Sequence, residues 1–325
     1  MNRRHLLQRL AAGPLGLLGL ASTPARAQGY PDRPVRLLLG YPPGAGPDVE
    51  ARAFGALLQQ ELGQPVVIEN KPGFSGLLAM EAVAKAAPDG YTLAGATPTN
   101  LTGNPRLFDR PLFNADKDIL PISQFIEHAW LLYVNANLPV RTLADFVALA
   151  KASPGRISYA TGGAGSYPHL TGEWFQKLAG IRLNHIPYGA VHWQNDLLAG
   201  RVDATFYPLL LAEHVRSGKL RALAIASASR STMLPDEPTF AESGYPEYSA
   251  RAWAGLVAPG GTPAPVVERL ALACARAAQR PEFREFVARF GAQAVGSSPQ
   301  DFARYLRNER SQLHALIIDN NIRAE

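Results

Sequence analysis

Residues 35–70 carry the stretch that decides the fold, VRLLLGYPPGAGPDVEARAFGALLQQELGQPVVIEN. It opens with a short apolar run, Val35–Leu39, which predicts a buried strand. Asp48–Leu62 predicts a helix, because acids stand in its first turn and a glycine follows its end. A second apolar run, Pro65–Glu69, predicts the next strand. A strand, a helix and a strand at this spacing predict a right-handed βαβ unit and therefore a parallel sheet.

The same alternation continues along the chain and then starts again after a break. Thr142 begins a predicted helix with Asp145 at its third position, close to a capping box. Further strands are predicted at 91–96, 129–135, 157–160, 184–188, 204–207, 220–226 and 253–257. Further helices are predicted at 77–87, 142–152, 169–179, 193–200, 214–217, 263–279, 281–290 and 299–319. Two βαβ blocks and a helical tail predict an α/β fold of two lobes, with the tail packed on the first lobe.

The first 27 residues have the pattern of a secretory signal. Arg3, Arg4 and Arg9 precede an apolar run over 10–21, and Ala25-Arg26-Ala27 is a small-x-small cleavage pattern. The apolar run is short for a membrane-spanning helix. The pattern predicts export, by the general secretory route or by the twin-arginine route.

The net charge and the cysteine count limit the classes of function that the chain can have. Removal of residues 1–27, which hold four Arg and no acid, lowers the formal net charge from +5 to +1. A nearly neutral mature chain gives no support for nucleic-acid binding. Cys274 is the single cysteine of the 325 residues, so it has no partner for an internal disulfide or a cysteine metal site.

Three glycine-rich loops follow predicted strands and precede predicted helices: 41–48, 73–76 and 162–166. Ligands of parallel sheets bind at the carboxyl ends of the strands, and free backbone N–H groups at a helix start attract anions. Each loop taken alone is also compatible with an ordinary βα turn. None matches a dinucleotide or phosphate-loop motif.

Ser166 and His169 are close in sequence, but the context Gly-Ala-Gly-Ser-Tyr-Pro-His is not that of a serine hydrolase. Ser166 is expected to be a helix N-cap or a hydrogen-bond donor to a ligand. His185, His192 and His214 are scattered without metal-ligand spacing to one another, and no paired carboxylates point to acid–base catalysis. Aromatic residues that could line a pocket, although each alone is more typical of a core, are Trp130, Tyr167, Trp193 and Tyr207.

Many segments of the mature chain together resemble the Bug family, the extracytoplasmic solute-binding proteins of tripartite tricarboxylate transporters. The similarity runs over almost the whole mature chain. In chain order the segments are 30–36, 43–44 with Asp48 and 51–52, 63–73, 86–93, 165–166 with His169 and Leu170, 196–198, 218–223, 234–236, 238–239 and 258–263.

The resemblance implies an α/β type II periplasmic-binding-protein fold with a ligand cleft between two lobes. It places the first lobe at 28–127 and 251–325 and the second at 128–250, with crossings near 126–129 and 250–253. It implies a periplasmic, monomeric protein without cofactor or metal, whose partners are a small carboxylate and the membrane components of the transporter. The residues it suggests for ligand binding are Tyr41, Gly44, Ala45, Gly46, Thr97, Gly163, Ala164, Gly165, Ser166, His169, Tyr188 and Tyr207.

Three positions depart from the family pattern. Ala45 stands where the family usually has a second glycine, Gly189 follows Tyr188 where a basic residue is usual, and Tyr207 replaces an acid or amide. We therefore expect a less charged, more aromatic wall in the second lobe, suited to an aromatic or medium-length carboxylate. A sensor that presents its solute to a membrane histidine kinase is the second hypothesis, and a periplasmic hydrolase the third.

Overall fold

The computed structural model describes residues 29–103, 107, 112–188, 193–320 and 322, and the predicted signal at 1–27 lies outside them. The described residues from Pro31 onward belong to one compact unit. Its first elements are β1 (Val35–Leu39), α1 (Gly46–Leu62), β2 (Val66–Asn70), α2 (Leu77–Ala84) and β3 (Thr92–Ala96). β1 pairs in parallel with both β2 and β3, which confirms the predicted βαβ unit.

The helix α1 begins two residues before the predicted start. Pro47 fits the first turn, where its missing N–H is not needed, and the amide of Asp48 donates to Ala45 O at 2.9 Å. Gly63 ends the helix in the left-handed region at φ 74°, as the sequence predicted. The helix α2 ends at Ala84, three residues before the predicted end.

The next strand is β4 (Ile119–Asn135), whose 17 residues run far beyond the seven that the sequence predicted. From Ile119 to Ala129 it pairs antiparallel with a strand near the end of the chain. From Trp130 onward it pairs instead with two strands of the second βαβ block. This strand therefore joins two regions of one ten-stranded sheet, within the described residues.

The second block follows β4, and its parallel β5–β6 and β5–β7 pairs confirm the second βαβ prediction. Thr142 caps the first helix in a full capping box with Asp145, also as predicted. The elements are α3 (Leu143–Ala152), β5 (Ser158–Thr161), α4 (Tyr167–Ala179), β6 (Asn184–Pro187), α5 (Trp193–Leu198), β7 (Ala204–Pro208), α6 (Ala212–Arg216) and β8 (Leu220–Ala226).

The chain then returns to the first region through β9 (Arg251–Pro259), which lies between β3 and β4 and is antiparallel to both. The closing elements are α7 (Ala264–Gln279), α8 (Pro281–Ala288), β10 (Ala292–Ala294) and α9 (Pro299–Asp319). The helices α7 and α8 pack against α1, as expected for a tail that covers the first lobe.

The last helix, α9, departs from that expectation because it packs into one hydrophobic cluster of the first region and one of the second block. Phe302 and Leu306 pack with Trp253 and residues of β3 and α2. Leu313 and Leu316 pack with α3 and α4 of the second block. A helix of 21 residues is about 30 Å long, which is enough to span both regions. The lobe boundaries stay a prediction.

Candidate functional site

A cavity of about 270 Å³ lies where the two regions of the sheet meet. Residues from α1, the turn after β3, β4, α4, β7 and β9 surround it. Its described lining consists of Tyr41, Gly46, Pro47, Glu50, Thr97, Pro98, Thr99, His128, Trp130, Tyr167, Pro168, Tyr207, Pro208, Leu210, Ala252, Trp253 and Ala254. A larger groove of about 770 Å³ between α7 and α9 contains none of the residues predicted to bind a ligand.

Tyr41, Gly46, Glu50 and Thr97 form what we call the first wall of this cavity. The hydroxyl groups of Tyr41 and Thr97 share a hydrogen bond of 2.7 Å. Burial raises the pKa of the Tyr41 hydroxyl, and hydrogen bonds from Thr97 and Thr99 partly offset the rise. Tyr41 is therefore a neutral hydroxyl that can donate to or accept from a ligand.

A buried carboxylate holds the loop behind the first wall. The Oδ2 atom of Asp48 accepts from the Gly44 amide at 2.8 Å and from Arg52 Nε at 2.9 Å. Its Oδ1 atom accepts from Asn70 Nδ2 at 2.7 Å. These contacts, led by the Arg52 hydrogen bond, lower the pKa of Asp48 to about 2. The Gly44 amide, a predicted anion donor, is thus already engaged by the protein's own carboxylate.

Trp130, Tyr167 and Tyr207 form the second wall. The ring of Trp130 meets Tyr167 edge-on at 5.0 Å between centroids and lies 6.2 Å from Tyr207. Trp193 packs against the other side of Tyr207 at 4.8 Å and supports it from the core. Burial raises the pKa of the Tyr207 hydroxyl. The second wall therefore presents aromatic faces and neutral hydroxyls, in agreement with the expected aromatic character.

The glycine-rich loop at 162–166 uses its polar groups internally. The Gly163 amide donates to Thr161 Oγ1 at 3.2 Å, and the Gly165 amide donates to His169 Nδ1 at 2.9 Å. Ser166 stands at the N-cap position of α4, but its hydroxyl donates to Gly163 O at 2.7 Å instead of capping the helix. This loop supports the second wall from behind, since Tyr167 follows it directly.

The structure therefore separates the predicted ligand-binding residues into two groups. Those on the cavity lining are Tyr41, Gly46, Thr97 and Tyr207. Those outside that lining are Gly44, Ala45, Gly163, Ala164, Gly165, Ser166, His169 and Tyr188. The hydroxyl of Tyr188 donates to Asp196 at 2.8 Å, and Gly189 lies outside the described residues.

His169 and His185 form a stacked pair with ring centroids 3.8 Å apart. Burial lowers the pKa of each ring to about 4, and at His185 the neighbouring ring adds to the effect. Since His169 Nδ1 accepts from Gly165, it is not directed at the Ser166 hydroxyl. The pair is thus a neutral support for the loop and lacks the geometry of a nucleophile with its base.

A second buried acid connects the cavity to α9. Trp253 and Tyr167, which both line the cavity, contact the Glu309 carboxylate at 2.9 Å and 3.5 Å. Thr102 donates to Glu309 Oε2 at 2.8 Å from the turn that follows β3. Burial raises the pKa of Glu309 to about 7, although these hydrogen bonds oppose the rise. Glu309 therefore ties both sheet regions to one side chain.

Sequence reasoning missed Glu50 and His128 as lining residues. Glu50 was noted only as an acid in the first turn of a helix, and His128 was not singled out. Glu50 follows Gly46 by four residues, which places both on one face of α1. His128 lies in the part of β4 that the sequence did not predict as a strand. Their Oε1 and Nε2 atoms are 3.0 Å apart.

The described residues contain no group of three or more His, Cys, Asp or Glu arranged to hold a metal ion. Within the same residues, none of the helices combines the length and the apolar character needed to cross a membrane.

Comparisons with known proteins agree with this architecture. The family model for the tripartite tricarboxylate transporter family receptor matches residues 51–322. The chain is 38% identical over 295 residues to protein BugT of Bordetella pertussis, which covers 90% of each chain.

Solved structures extend the likeness to the fold. A protein of R. palustris solved with adipate has a TM-score of 0.79 and 31% identity, covering 91% of this chain and all of its own. MatC of Rhodopseudomonas palustris with bound malate has a TM-score of 0.76 and 30% identity, covering 89% and 100%. The periplasmic binding protein BugD has a TM-score of 0.76 and 29% identity, covering 91% and 100%.

Proposed function

This chain belongs to the tripartite tricarboxylate transporter receptor family, and from that premise we propose that it captures one small organic carboxylate by lobe closure and delivers it to such a transporter. The observation that carries the proposal is the cavity whose first wall comes from one sheet region and whose second wall comes from the other. A ligand in that cavity contacts both regions at once. Only a ligand that binds the closed arrangement better than the open one shifts the protein toward closure.

The lining supports a carboxylate with an apolar body. The hydroxyls of Tyr41, Thr97 and Thr99 supply hydrogen bonds for the acid group, and the rings of the second wall contact the remainder. A volume of about 270 Å³ suits a single small molecule. We propose an aromatic or medium-length acid. Adipate, with which one of the structural neighbours was solved, is an example of a medium-length acid.

The proposal also covers the location of the protein in the cell and its partners. The family and the structural neighbours are solute-binding proteins, and two of these neighbours are periplasmic. We propose that the mature protein lies in the periplasm as a monomer after removal of the predicted signal. Its partners are the membrane components of the transporter, and it neither binds nucleic acid nor catalyses a reaction.

Calorimetric titration tests the proposal directly. The protein is unfolded to release any retained ligand, refolded, and titrated with adipate, malate, citrate, aspartate and phenylpropanoate. We expect one-to-one binding of at least one acid, with the aromatic or medium-length acids tighter than citrate. Tight binding of citrate with no binding of adipate or phenylpropanoate would contradict the proposed acid class.

A substitution inside the cavity, compared with a matched control on the surface, tests where the ligand binds. Thr99→Trp places an indole in the space between the walls, so we expect affinity to fall by at least about tenfold. Val67→Trp adds the same ring at an exposed position of β2, where affinity should not change. Equal affinity in the two variants would place the ligand elsewhere.

A further inference from the structure

Glu50 is an unusual member of a lining proposed to hold a carboxylate. It is the acidic residue of that lining, and the described lining residues include no Lys or Arg. Two negative charges in a partly buried cavity repel each other strongly, because the local dielectric constant is low. A ligand that is only an anion would therefore be opposed by this side chain.

Glu50 lines the cavity as part of the first wall. Burial raises the pKa of the hydroxyls of Tyr41 and Tyr207, and the charge of Glu50 adds to the rise at both. Tyr41 belongs to the first wall and Tyr207 to the second, so the charge acts across the cavity.

The same carboxylate retains binding capacity. Its side chain is 12% exposed, and its Oε1 atom faces His128 Nε2 at 3.0 Å. No other contact among the described residues engages the carboxylate. The second oxygen is thus available to a donor on a ligand. The other ring nitrogen of His128, Nδ1, is buried without a hydrogen-bond partner in the described part of the chain.

The surroundings of Glu50 favour a cation over a neutral donor. Trp130, Tyr167 and Tyr207 present aromatic rings to the same cavity, and the faces of such rings attract ammonium groups. A buried carboxylate with an ammonium partner is stabilised by a charge-assisted hydrogen bond, whereas one without a partner is costly.

We propose that Glu50, together with these aromatic rings, forms a subsite for a protonated amine, so that the ligand is an amino carboxylate rather than a simple acid. This inference rests on the proposed function, which supplies the carboxylate half of the ligand. His128 acts as a positioning residue that fixes one oxygen of Glu50 and directs the other at the amine.

The test compares pairs of ligands that differ only in the amine. Phenylalanine is paired with phenylpropanoate, and ε-aminohexanoate with hexanoate, in titrations of the ligand-free protein. In at least one pair we expect the amino acid to bind about tenfold or more tightly than its partner, as for a hydrogen bond between charged groups. The Glu50→Gln variant should lose that preference and bind the acid without the amine at least as well as before.

Glu61→Gln provides the matched control, because it removes a carboxylate at the far end of the same helix, where Glu61 pairs with Arg280. It should leave the preference unchanged. If the simple acids bind as well as their amino counterparts, or if Glu50→Gln keeps the preference, this inference is overturned while the proposed function stands. If no carboxylate of either kind binds, the proposed function fails and this inference fails with it.

Discussion

The two walls of the cavity are supported by opposite kinds of chemistry. The loop behind the first wall is held by an ionised acid, Asp48, whose pKa is about 2. The second wall is supported by the stacked rings of His169 and His185, which burial keeps neutral, and it is joined to the first region by Glu309, whose pKa burial raises to about 7. Similar glycine-rich loops at similar places in the fold are thus stabilised in different ways.

This difference shows that a glycine-rich loop is not by itself an anion site. In both loops the protein's own side chains engage backbone amides that the sequence offers to a ligand: Asp48 at Gly44, and His169 at Gly165. The residues that line the cavity are neighbours of the loops. The two walls should also respond differently to substitution and to pH.

The largest effect is expected from Asp48→Ala, which leaves the Gly44 N–H without its acceptor and the Asn70 side-chain amide with only the Tyr41 carbonyl oxygen. Because the buried carboxylate accepts three hydrogen bonds, we expect the free energy of unfolding to fall by about 4 kcal/mol, measured by urea denaturation. Asp145→Ala removes an exposed aspartate that also caps a helix, and it should lower the free energy of unfolding by clearly less. Equal losses in the two variants would refute the assigned role of Asp48.

Glu309, which connects the two regions, should contribute a stability that falls as the pH rises. Its pKa is about 7 in the folded protein against an ordinary value of 4.5, so the folded state retains a proton that the unfolded state has lost. This contribution is complete below about pH 4.5 and is lost as the pH rises through 7. Between pH 4.5 and 8, the free energy of unfolding of Glu309→Gln should therefore rise by about 3 kcal/mol relative to that of wild type.

Urea denaturation at several pH values measures this difference. Glu268→Gln makes the same change at an exposed position of α7, and its difference from wild type should not vary with pH. A Glu309→Gln curve parallel to that of wild type would show that Glu309 is ionised in the fold.

The histidine stack should have the opposite dependence. Since burial lowers the pKa of His169 to about 4 from 6.5, the unfolded state takes up a proton first as the pH falls. The stability from the neutral ring is present above about pH 6.5 and is lost on acidification toward 4. His169→Asn keeps an acceptor for Gly165 but does not titrate, so between pH 6.5 and 4 its free energy of unfolding should fall by about 2.5 kcal/mol less than that of wild type.

His214→Asn, on α6 and outside the stack, is the control for this comparison. The same denaturation series should show that it follows wild type. If His169→Asn follows wild type as well, the stack does not make the second wall sensitive to acid.

The smallest effects compare one glycine from each loop. Gly44 and Gly165 have φ angles of 82° and 72°, so alanine is strained at both. At Gly44 the added Cβ meets nothing within 4 Å, and we expect a loss of about 1 kcal/mol. At Gly165 it would lie 1.9 Å from Leu107 Cδ1, so we expect a further loss of about 1 kcal/mol. Thermal unfolding that ranks Gly44→Ala as the more damaging variant would contradict this packing.

The sequence predicted most elements because their signals are local. The strand Leu220–Ala226 has the predicted bounds because a continuous apolar run marks it. The helix Pro299–Asp319 also has the predicted bounds, because a proline marks its first turn and apolar residues recur along it with the helical period. The long strand β4 was predicted only from Ala129. Its earlier part includes the polar Gln124 and His128, which are buried by pairing with β9 and β10, a contact distant in sequence.

The cavity was predicted less completely, for a related reason. Tyr41, Thr97 and Tyr207 follow or end strands whose carboxyl ends meet, which sequence reasoning can recognise. Trp130 and Tyr167 were predicted to lie either in a pocket or in the core, and they do both: they line the pocket and belong to a buried core cluster. Glu50 carried no local signal, because an acid near a helix start is expected on electrostatic grounds alone.

The central claim is that a small acid binds between the two walls, and native mass spectrometry of freshly purified protein tests it most directly. We predict that wild-type protein carries one small molecule that is released on unfolding and has the mass of an organic acid. The Thr99→Trp variant, purified in the same way, should be free of it. Wild-type protein without any bound molecule, together with no calorimetric binding of any acid tested, would contradict the account.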